Sequence, residues 1–309
     1  MRILVVGAGI AGVACARALR AGGADVRVVD RARVVGGRMA SRQLGEPRRP
    51  VDLGAAYFTV ADDGFRAVVD GWRERGLARP WTDTLSVFDG DGQHLAPGPM
   101  RWAAPGGLRS LVEDLADGLD VTLEHSVTTV GPGPVVDGQG YDAVVLAMPD
   151  PQAARLLGPD SPAHGVLTGA GAVTWSPVLA VAAEFPARTW ANFDAAFVND
   201  HPVLSALADD GARRGDGVPV LVAHTTPAIA RDDVLEDVLA AVADLLDLPD
   251  RPVWTYAHRW RPAQPDAHRD RPFHLGADRI GLAGDGWGRP RVETAWLSGT
   301  ALATELLRG

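Results

Sequence analysis

The first thirty residues predict one strand–helix–strand unit, and no other part of the chain limits the fold so strongly. Arg2–Val6 is a short apolar run typical of a buried parallel strand, and residues 11–20 then change to helix-forming types. A second apolar run, residues 26–29, follows Gly22-Gly23 and ends in Asp30. Such a pattern is typical of a βαβ unit in a parallel sheet.

The glycines between the first strand and the helix have the spacing of a dinucleotide-binding turn. Gly7-x-Gly9-x-x-Gly12 would permit, in that order, a tight turn, close approach of a pyrophosphate, and close packing of helix against strand. Asp30 is placed to accept hydrogen bonds from the ribose hydroxyls of an adenosine. The alternative is a glycine-rich turn without a ligand, and the fingerprint alone fits FAD and NAD equally.

Three separated segments are predicted to form one sheet, because residues 141–147 and 279–283 repeat the apolar pattern of the first strand. Residues 85–95 predict a hairpin, and residues 178–185 and 218–224 predict longer strands of an antiparallel sheet. Residues 234–246 have helical apolar spacing and are predicted to cover that sheet. Two further segments, residues 131–140 and 209–217, are predicted to be loops, the second of them mobile.

The predicted fold class is α/β, with a Rossmann-type cofactor domain built from discontinuous segments and a second domain whose mixed or antiparallel sheet is covered by helices. The chain has 309 residues, which at about 150 residues per domain is consistent with two domains. We assign residues 1–75, 101–160 and 276–309 to the cofactor domain. Residues 76–100 and 161–275 then form the substrate-binding domain.

Composition excludes several classes of protein. All 30 basic residues are arginine, so the chain has no lysine for a Schiff base, a pyridoxal phosphate or a Walker P-loop. The net charge of −9 without a basic run argues against nucleic acid or an anionic membrane as main partner. Cys15 is the only cysteine, which excludes an intrachain disulfide and a cysteine-based zinc site. We expect no metal, no membrane span and a cytoplasmic location, and no feature specifies an oligomeric state.

Segments beyond the glycine turn resemble the flavin amine oxidase superfamily. They are Arg33-Val34-Val35-Gly36-Gly37-Arg38, Asp52-Leu53-Gly54-Ala55-Ala56-Tyr57-Phe58, and, near the other end, Gly281-Leu282-Ala283-Gly284-Asp285 followed by residues 291–299. The resemblance implies FAD, with Arg38 on the pyrophosphate, Gly54-Ala55 beside the flavin ring and Asp285 on the ribityl chain. We expect this FAD to be noncovalent, because Cys15 lies inside the first predicted helix, away from any expected flavin methyl group; attachment through a histidine is the alternative. A helix from about residue 292 to 307 would direct its N-terminal amides at the flavin pyrimidine edge. The cofactor set implied is Gly7, Gly9, Ala11, Gly12, Asp30, Arg31, Gly37, Arg38, Gly54, Ala55, Val127, Gly284, Asp285, Arg291, Val292 and Ala295.

Within that superfamily the chain most resembles the renalase-like proteins. The shared features run nearly end to end and include Phe197-Val198-Asn199-Asp200, His224-Thr225-Thr226-Pro227 and Ala257-His258-Arg259-Trp260. Renalases are flavoproteins that take a hydride from wrongly reduced nicotinamide dinucleotides and pass the electrons to O2, which yields hydrogen peroxide. The partners implied are therefore a small-molecule hydride donor and O2.

The predicted pocket residues are aromatic or can form hydrogen bonds: Tyr57, Trp175, Asn199, His224, His258 and Trp287. Each also has a structural alternative. Large aromatics such as Trp175 are often core residues, a histidine at a strand end is often a structural donor, and Asn199-Asp200 is compatible with a simple turn.

The chain departs from the family pattern just before the terminal helix. Arg289-Pro290-Arg291 replaces a glycine pair, and Thr294 occupies a position that is usually glycine. A β-branched residue there would narrow the space over the flavin. Two alternatives to a renalase-type oxidase therefore stay open: an FAD-dependent amine oxidase or desaturase, and a flavin-binding protein without turnover.

Overall fold

The computed structural model describes residues 1–190 and 193–309. In chain order the strands are β1 (Arg2–Val6), β2 (Asp25–Val29), β3 (Ser41–Leu44), β4 (Arg49–Asp52), β5 (Arg79–Asp89), β6 (Gly92–Ala103), β7 (Asp120–Thr122), β8 (Val130–Gly131), β9 (Val135–Val136), β10 (Gln139–Gly140), β11 (Ala143–Leu146), β12 (Trp175–Glu184), β13 (Ala195–Val198), β14 (Leu204–Asp209), β15 (Val220–Thr225), β16 (Trp254–Pro265), β17 (His274–Leu275) and β18 (Ile280–Leu282). The helices are α1 (Ile10–Ala21), α2 (Asp63–Glu74), α3 (Arg109–Ala116), α4 (Asp150–Ala154), α5 (Pro162–Thr168), α6 (Asp210–Arg214), α7 (Leu235–Leu246) and α8 (Val292–Arg308).

The described chain divides into two compact units, each built from discontinuous segments. The first unit comprises Met1–Gly37, Val112–Trp175 and Gln264–Gly309, and the second comprises Arg38–Leu111 and Ser176–Ala263. The functional domain boundaries given above stay a prediction. They differ from the compact units in residues 38–75 and 101–111, which the backbone contacts group with the second unit, and in residues 161–175 and 264–275, which these contacts group with the first.

The first unit contains the Rossmann-like sheet, in the strand order β17-β18-β11-β1-β2-β7. Neighbouring strands are parallel, apart from β17 against β18. One face packs against a core that includes Leu4, Val144, Ala153 and Leu167, the last two from α4 and α5. Fully apolar strands such as β11 are expected where both faces of a parallel sheet are buried. The predicted strand–helix–strand start and both later strands are confirmed.

Helix α1 is held by backbone contacts at two glycines. A Cβ at Gly12 would overlap the carbonyl oxygen of Gly7, and a Cβ at Gly299 in α8 would overlap the carbonyl oxygen of Ala11. Glycine therefore permits an approach that no other residue would allow. The buried apolar residues of α1, including Val13 and Leu19, are fully enclosed as a result.

The second unit contains a mixed sheet in the order β16-β12-β15-β14-β13-β5-β6. Strands β12, β15, β14 and β13 are joined by antiparallel pairs, and β13 pairs with β5 in parallel. Helix α7 covers one face, where Val238 and Val242 join a core with Leu207 and Leu221. The predicted hairpin, now β5–β6, and the predicted helix are confirmed, and so is the mixed sheet of the fold class.

Two predicted loops are wrong. Residues 131–140 belong to a small three-stranded sheet, β10-β9-β8. Residues 209–217, predicted to be a mobile loop, contain α6, and their charged residues Asp209, Asp210 and Arg213 are 0–1% exposed. Composition alone suggested exposure, but ion pairs within the unit neutralise these charges and allow burial.

We expect Gly299→Ala to destabilise the protein by about 1–3 kcal/mol, because the new methyl group would force α8 away from Ala11. Denaturant unfolding measures the effect. Gly165→Ala is the matched control: Gly165 is also helical, and a Cβ there meets nothing within 4 Å. The control should be neutral or slightly stabilising. Equal stability of Gly299→Ala and wild type would contradict the packing described.

Candidate functional site

The glycine turn of the first unit is fixed to the end of β2. Gly7 has φ +115°, and a Cβ there would lie 2.5 Å from the carbonyl oxygen of Ala147. The Asp30 carboxylate accepts hydrogen bonds from the backbone N–H groups of Ala8 at 2.7 Å and Ala32 at 2.8 Å. Asp30 therefore holds the turn in place, and its remaining lone pairs are available to ribose hydroxyls.

The turn fits a pyrophosphate. A Cβ at Gly9 would touch only the Cα of Gly37, at 3.9 Å, so the protein itself does not require glycine at this position. Gly9 is the N-cap of α1 and offers no side chain to its first-turn amides. Open space and a helix N-terminus together are what an anionic phosphate needs.

The segment after β18 offers a second cradle in the same unit. Gly284 has φ +153°, a Cβ there would enter open space, and its N–H donates to the buried Ser298 hydroxyl of α8 at 2.9 Å. Asp285 follows and is partly buried. Helix α8 begins at Val292, as predicted, and its N-cap residue, Arg291, makes no side-chain hydrogen bond to the first turn. These features fit a ligand that runs along the loop to the helix end.

Other predicted cofactor residues occupy varied environments in this unit. Arg31 and Arg291 are exposed, Val127 packs beside an apolar core without belonging to a strand, and Ala11 and Ala295 are buried. Thr294, the departure from the family pattern, donates its hydroxyl hydrogen bond to the carbonyl of Arg289 at 2.6 Å. The side chain thus closes the turn before α8.

Trp287 is part of a stack of side chains that sequence reasoning missed. It is only 6% exposed, with the Arg269 guanidinium 4.4 Å from its ring centroid and the His274 ring at 6.3 Å, nearly parallel. Arg269 in turn donates to Asp150 at 2.6 Å. Trp175 approaches the same loop, since a Cβ at Gly286 would lie 3.2 Å from its ring. Both predicted tryptophans therefore lie at the loop that contains Asp285.

In the second unit, Arg38, Gly54 and Ala55 are brought together. A Cβ at Gly54 would overlap the carbonyl oxygen of Arg38, and the N–H of Ala55 donates to that oxygen at 2.9 Å. The Arg38 guanidinium donates to the carbonyl of Ala263 at 3.0 Å. Glycine at position 54 is thus required by the close passage of two backbone segments.

One face of the mixed sheet carries a row of residues that includes His224. The strand registers place Val87, Phe197, Ala206, His224 and Ala180 opposite one another across five strands. Residues directly opposite in a sheet point to the same face. Phe197 is 42% exposed on this face, an unusual position for a large aromatic residue. All four residues of β13 are apolar, so no alternation in the sequence could have identified this exposure.

A small cavity of about 30 Å³ lies on this face and is lined mainly by apolar side chains. Its polar lining residues are Tyr57, Arg213 and His224. The Tyr57 ring packs against Trp81, and the Arg101 guanidinium lies 5.5 Å from its centroid. Tyr57 and His224, both predicted pocket residues, therefore share one cavity.

His224 is held neutral. Burial, with a further contribution from the Arg213 charge, lowers its pKa to about 4, although a hydrogen bond to the Leu53 carbonyl opposes the shift. Its Nε2 is buried and makes no hydrogen bond within the described residues. Because Nε2 has no partner, we assign the donor role to Nδ1 and the acceptor role to Nε2.

The two remaining pocket predictions differ in environment. His258 packs edge-on against Trp260 with 4.3 Å between ring centroids, and burial together with Arg42 lowers its pKa. Asn199 is exposed, its N–H donates to the carbonyl of Phe88 at 2.8 Å, and Asp200 after it has φ +56°. Asn199 thus lies at a turn directly after the strand that carries Phe197.

The two nucleotide cradles of the first unit fit a dinucleotide cofactor, and comparison with known proteins shows an FAD-dependent oxidoreductase. Residues 5–72 match the family described as NAD(P)-binding Rossmann-like domain, and residues 65–307 match the one described as Flavin containing amine oxidoreductase. The chain belongs to the flavin-containing amine oxidoreductase family. Its cofactor is FAD.

Individual proteins of known identity are similar to this chain over most of its length. Renalase from Mus musculus is 24% identical over 307 residues, which cover 89% of this chain and 88% of that protein. Cyclohexylamine oxidase from Brevibacterium oxydans is 16% identical, with a TM-score of 0.76 over 99% of this chain and 98% of the other. Putrescine oxidase bound to putrescine is 16% identical, with a TM-score of 0.73 over 100% and 99%. The two solved structures show the shared fold. Within the described residues, no helix is both long and apolar enough to span a bilayer.

The sole cysteine has an unreactive thiol. Cys15 is fully buried in α1, and burial raises the pKa of its thiol to about 12. A thiol that stays protonated is a poor nucleophile. Noncovalent attachment of FAD stays the prediction.

We expect Gly9→Ala to fold normally but to bind FAD at least tenfold more weakly, because its methyl group meets open space in the protein and would obstruct the pyrophosphate. Gly12→Ala, whose methyl group would overlap Gly7, should instead lower the melting temperature of the apoprotein. Titration of apoprotein with FAD and thermal unfolding separate the two effects. Unchanged FAD affinity in Gly9→Ala would argue against a pyrophosphate at this turn.

His224 should make the folded state sensitive to acid. The ordinary histidine pKa is 6.5, and the pKa of His224 in the folded protein is about 4. Between these pH values the unfolded chain binds a proton that the native state does not bind, so the free energy of unfolding falls as pH falls through this range. At about 1.4 kcal/mol per pH unit, the 2.5 units between the two pKa values correspond to a total loss of about 3.5 kcal/mol.

Unfolding of wild type and His224→Asn by urea between pH 4 and 7 measures this effect. The variant should lose less stability on acidification, whereas the exposed-site control His268→Asn should follow the wild type. The raised pKa values of Asp52 and Asp209 act in the opposite direction, but equally in all three proteins. Parallel curves for wild type and His224→Asn would contradict a buried neutral imidazole.

Proposed function

We propose that this chain is an oxidase of renalase type. It removes a hydride from an isomeric dihydronicotinamide dinucleotide and passes the two electrons to O2, so that the donor, O2 and one proton give the oxidised dinucleotide and hydrogen peroxide. Bound FAD supplies the hydride-accepting ring and returns the electrons to O2. The extended similarity to renalase supports this assignment.

The observation that carries the proposal is a neutral imidazole on an apolar sheet face. The cavity beside His224 is lined by alanines, Leu85, Val222 and Phe197, and none of its lining residues has a carboxylate. Oxidation of a dihydropyridine produces an aromatic pyridinium and needs no general base, so such a face suffices. A protonated amine would find no carboxylate to hold it there, and the buried Arg213 would repel it.

His224 and Phe197 then have separate roles in binding. The Nε2 acceptor suits the N–H group of a primary carboxamide, and a buried acceptor discriminates strongly against ligands that lack a donor. The exposed ring of Phe197 can stack against a planar ring of the substrate. Phe197 lies in β13, four strands from the edge strand β16. Trp175 and Trp287 in the first unit, and Asn199 and His258 in the second, stay candidates for contact with the substrate.

The start of α8 is assigned the role of stabilising the negative charge of the reduced flavin. Its first-turn amides receive no hydrogen bond from the N-cap side chain, and Gly284 ties the preceding loop to Ser298. Backbone amides at a helix N-terminus stabilise a developing negative charge, which forms on the flavin when it accepts a hydride. A cytoplasmic location stays a prediction.

Anaerobic reduction of the holoenzyme tests the function. We expect isomeric dihydronicotinamide dinucleotides with the hydride at ring carbon 2 or 6 to bleach the visible flavin band, and O2 to restore it with one equivalent of hydrogen peroxide. Ordinary NADH and the amines putrescine and cyclohexylamine are the comparison donors. Bleaching by an amine alone would favour an amine oxidase, and no bleaching by any donor would favour a flavin-binding protein without turnover.

A further inference from the structure

The irregular segment from Asp52 to Ala56 is held by side chains from distant parts of the second unit. Asp52 is the last residue of β4, and residues 53–56 join neither a strand nor a helix, so the carbonyls of the segment need other partners. The carbonyl of Leu53 accepts from the Trp260 indole N–H at 2.8 Å. The carbonyls of Asp52 and Ala56, at the two ends, both accept from Arg213, at 3.3 and 3.0 Å.

Arg213 is suited to this double contact. Its planar guanidinium projects several N–H groups at fixed angles, so one side chain can bind two carbonyls four residues apart. The side chain is 0% exposed. Burial of an unpaired charge would be prohibitive, but Asp210 accepts a hydrogen bond from the same guanidinium and an Asp52 carboxylate oxygen lies 3.8 Å from its Nε.

The position of Arg213 is set by α6. Asp209 caps this helix by accepting the N–H of Ala212 at 2.8 Å, and Gly215 ends it with φ +85°. A Cβ at Gly211 would overlap the backbone of Val218, so the helix is pressed against the following segment. The backbone from which the Arg213 side chain extends is therefore held in place.

We propose that Arg213 is a positioning residue for the redox site, which fixes the backbone of Gly54 and Ala55 by binding the carbonyls on either side of them. The proposal rests on the assignment of Gly54 and Ala55 to the flavin edge, but not on the identity of the substrate. On the opposite side, the Arg38 carbonyl receives the N–H of Ala55. The Leu53 N–H donates to the carbonyl of Ala40, but Arg213 is the side chain that binds both ends of the segment.

Arg214 provides a matched control. It follows Arg213 in α6, is 5% exposed and also binds Asp210, but its other hydrogen bond goes to Asp216. Loss of either arginine leaves Asp210 with one cation fewer. Both Arg213→Lys and Arg214→Lys keep the charge and remove the planar fork, so both should lower the melting temperature.

The test compares FAD affinity and the visible circular dichroism of bound flavin in the two variants. We expect Arg213→Lys to raise the FAD dissociation constant about tenfold or more and to change the flavin dichroism, while Arg214→Lys retains wild-type values of both. Wild-type flavin properties in Arg213→Lys, or equal changes in both variants, would overturn the proposal. No substrate is used, so a wrong substrate assignment would not affect the result.

A second variant covers the case in which Arg213→Lys does not fold. Trp260→Phe removes the indole N–H that binds the Leu53 carbonyl, together with one of the two fused rings, and keeps a six-membered aromatic ring in place. If the Asp52–Ala56 segment positions the flavin, this variant should change the flavin dichroism in the folded holoprotein. An unchanged spectrum would overturn the role given to the segment and, with it, that of Arg213.

Discussion

Close contact between backbone segments at glycines is the constraint on which the first unit depends. Gly12 lets α1 approach the turn after β1, and Gly299 lets α8 approach α1 from another side. The start of α1 is thereby fixed against the turn at Gly7. A side chain at either glycine would separate elements whose spacing determines the shape of the cradle. The open space at Gly9 has the opposite meaning, because there the glycine leaves room for something other than protein.

In the second unit, buried charged side chains hold a backbone segment in place. The chain next to Gly54 leaves the β3–β4 hairpin and has no strand partner, so its carbonyls are satisfied by Arg213 and Trp260. A buried ion network costs more desolvation than an apolar core of the same volume, and its use here is geometric specificity. Arg213 also helps to keep His224 neutral, so one cation affects both the backbone and the imidazole.

Local patterns predicted what depends on local physics. The glycine turn, β1, α1 and the β5–β6 hairpin follow from spacing and turn residues, and α8 begins where the family resemblance placed it. Burial of residues 209–214 could not be predicted in this way, since it depends on Asp52 and Ala56, more than 150 positions away. The stack of Arg269, Trp287 and His274 was missed for the same reason.

The charge state of the sheet face around His224 follows from this arrangement. Burial raises the pKa of Asp52, and the charge of Arg213 opposes this by lowering it. For His224, burial and the charge of Arg213 both lower the pKa. The acid is thus favoured as a partner for the guanidinium, and the imidazole is disfavoured as a cation. The proposed hydride donor needs orientation and exclusion of water more than it needs a proton acceptor. A face that offers a fixed acceptor among alanines and an exposed aromatic ring provides orientation without proton transfer.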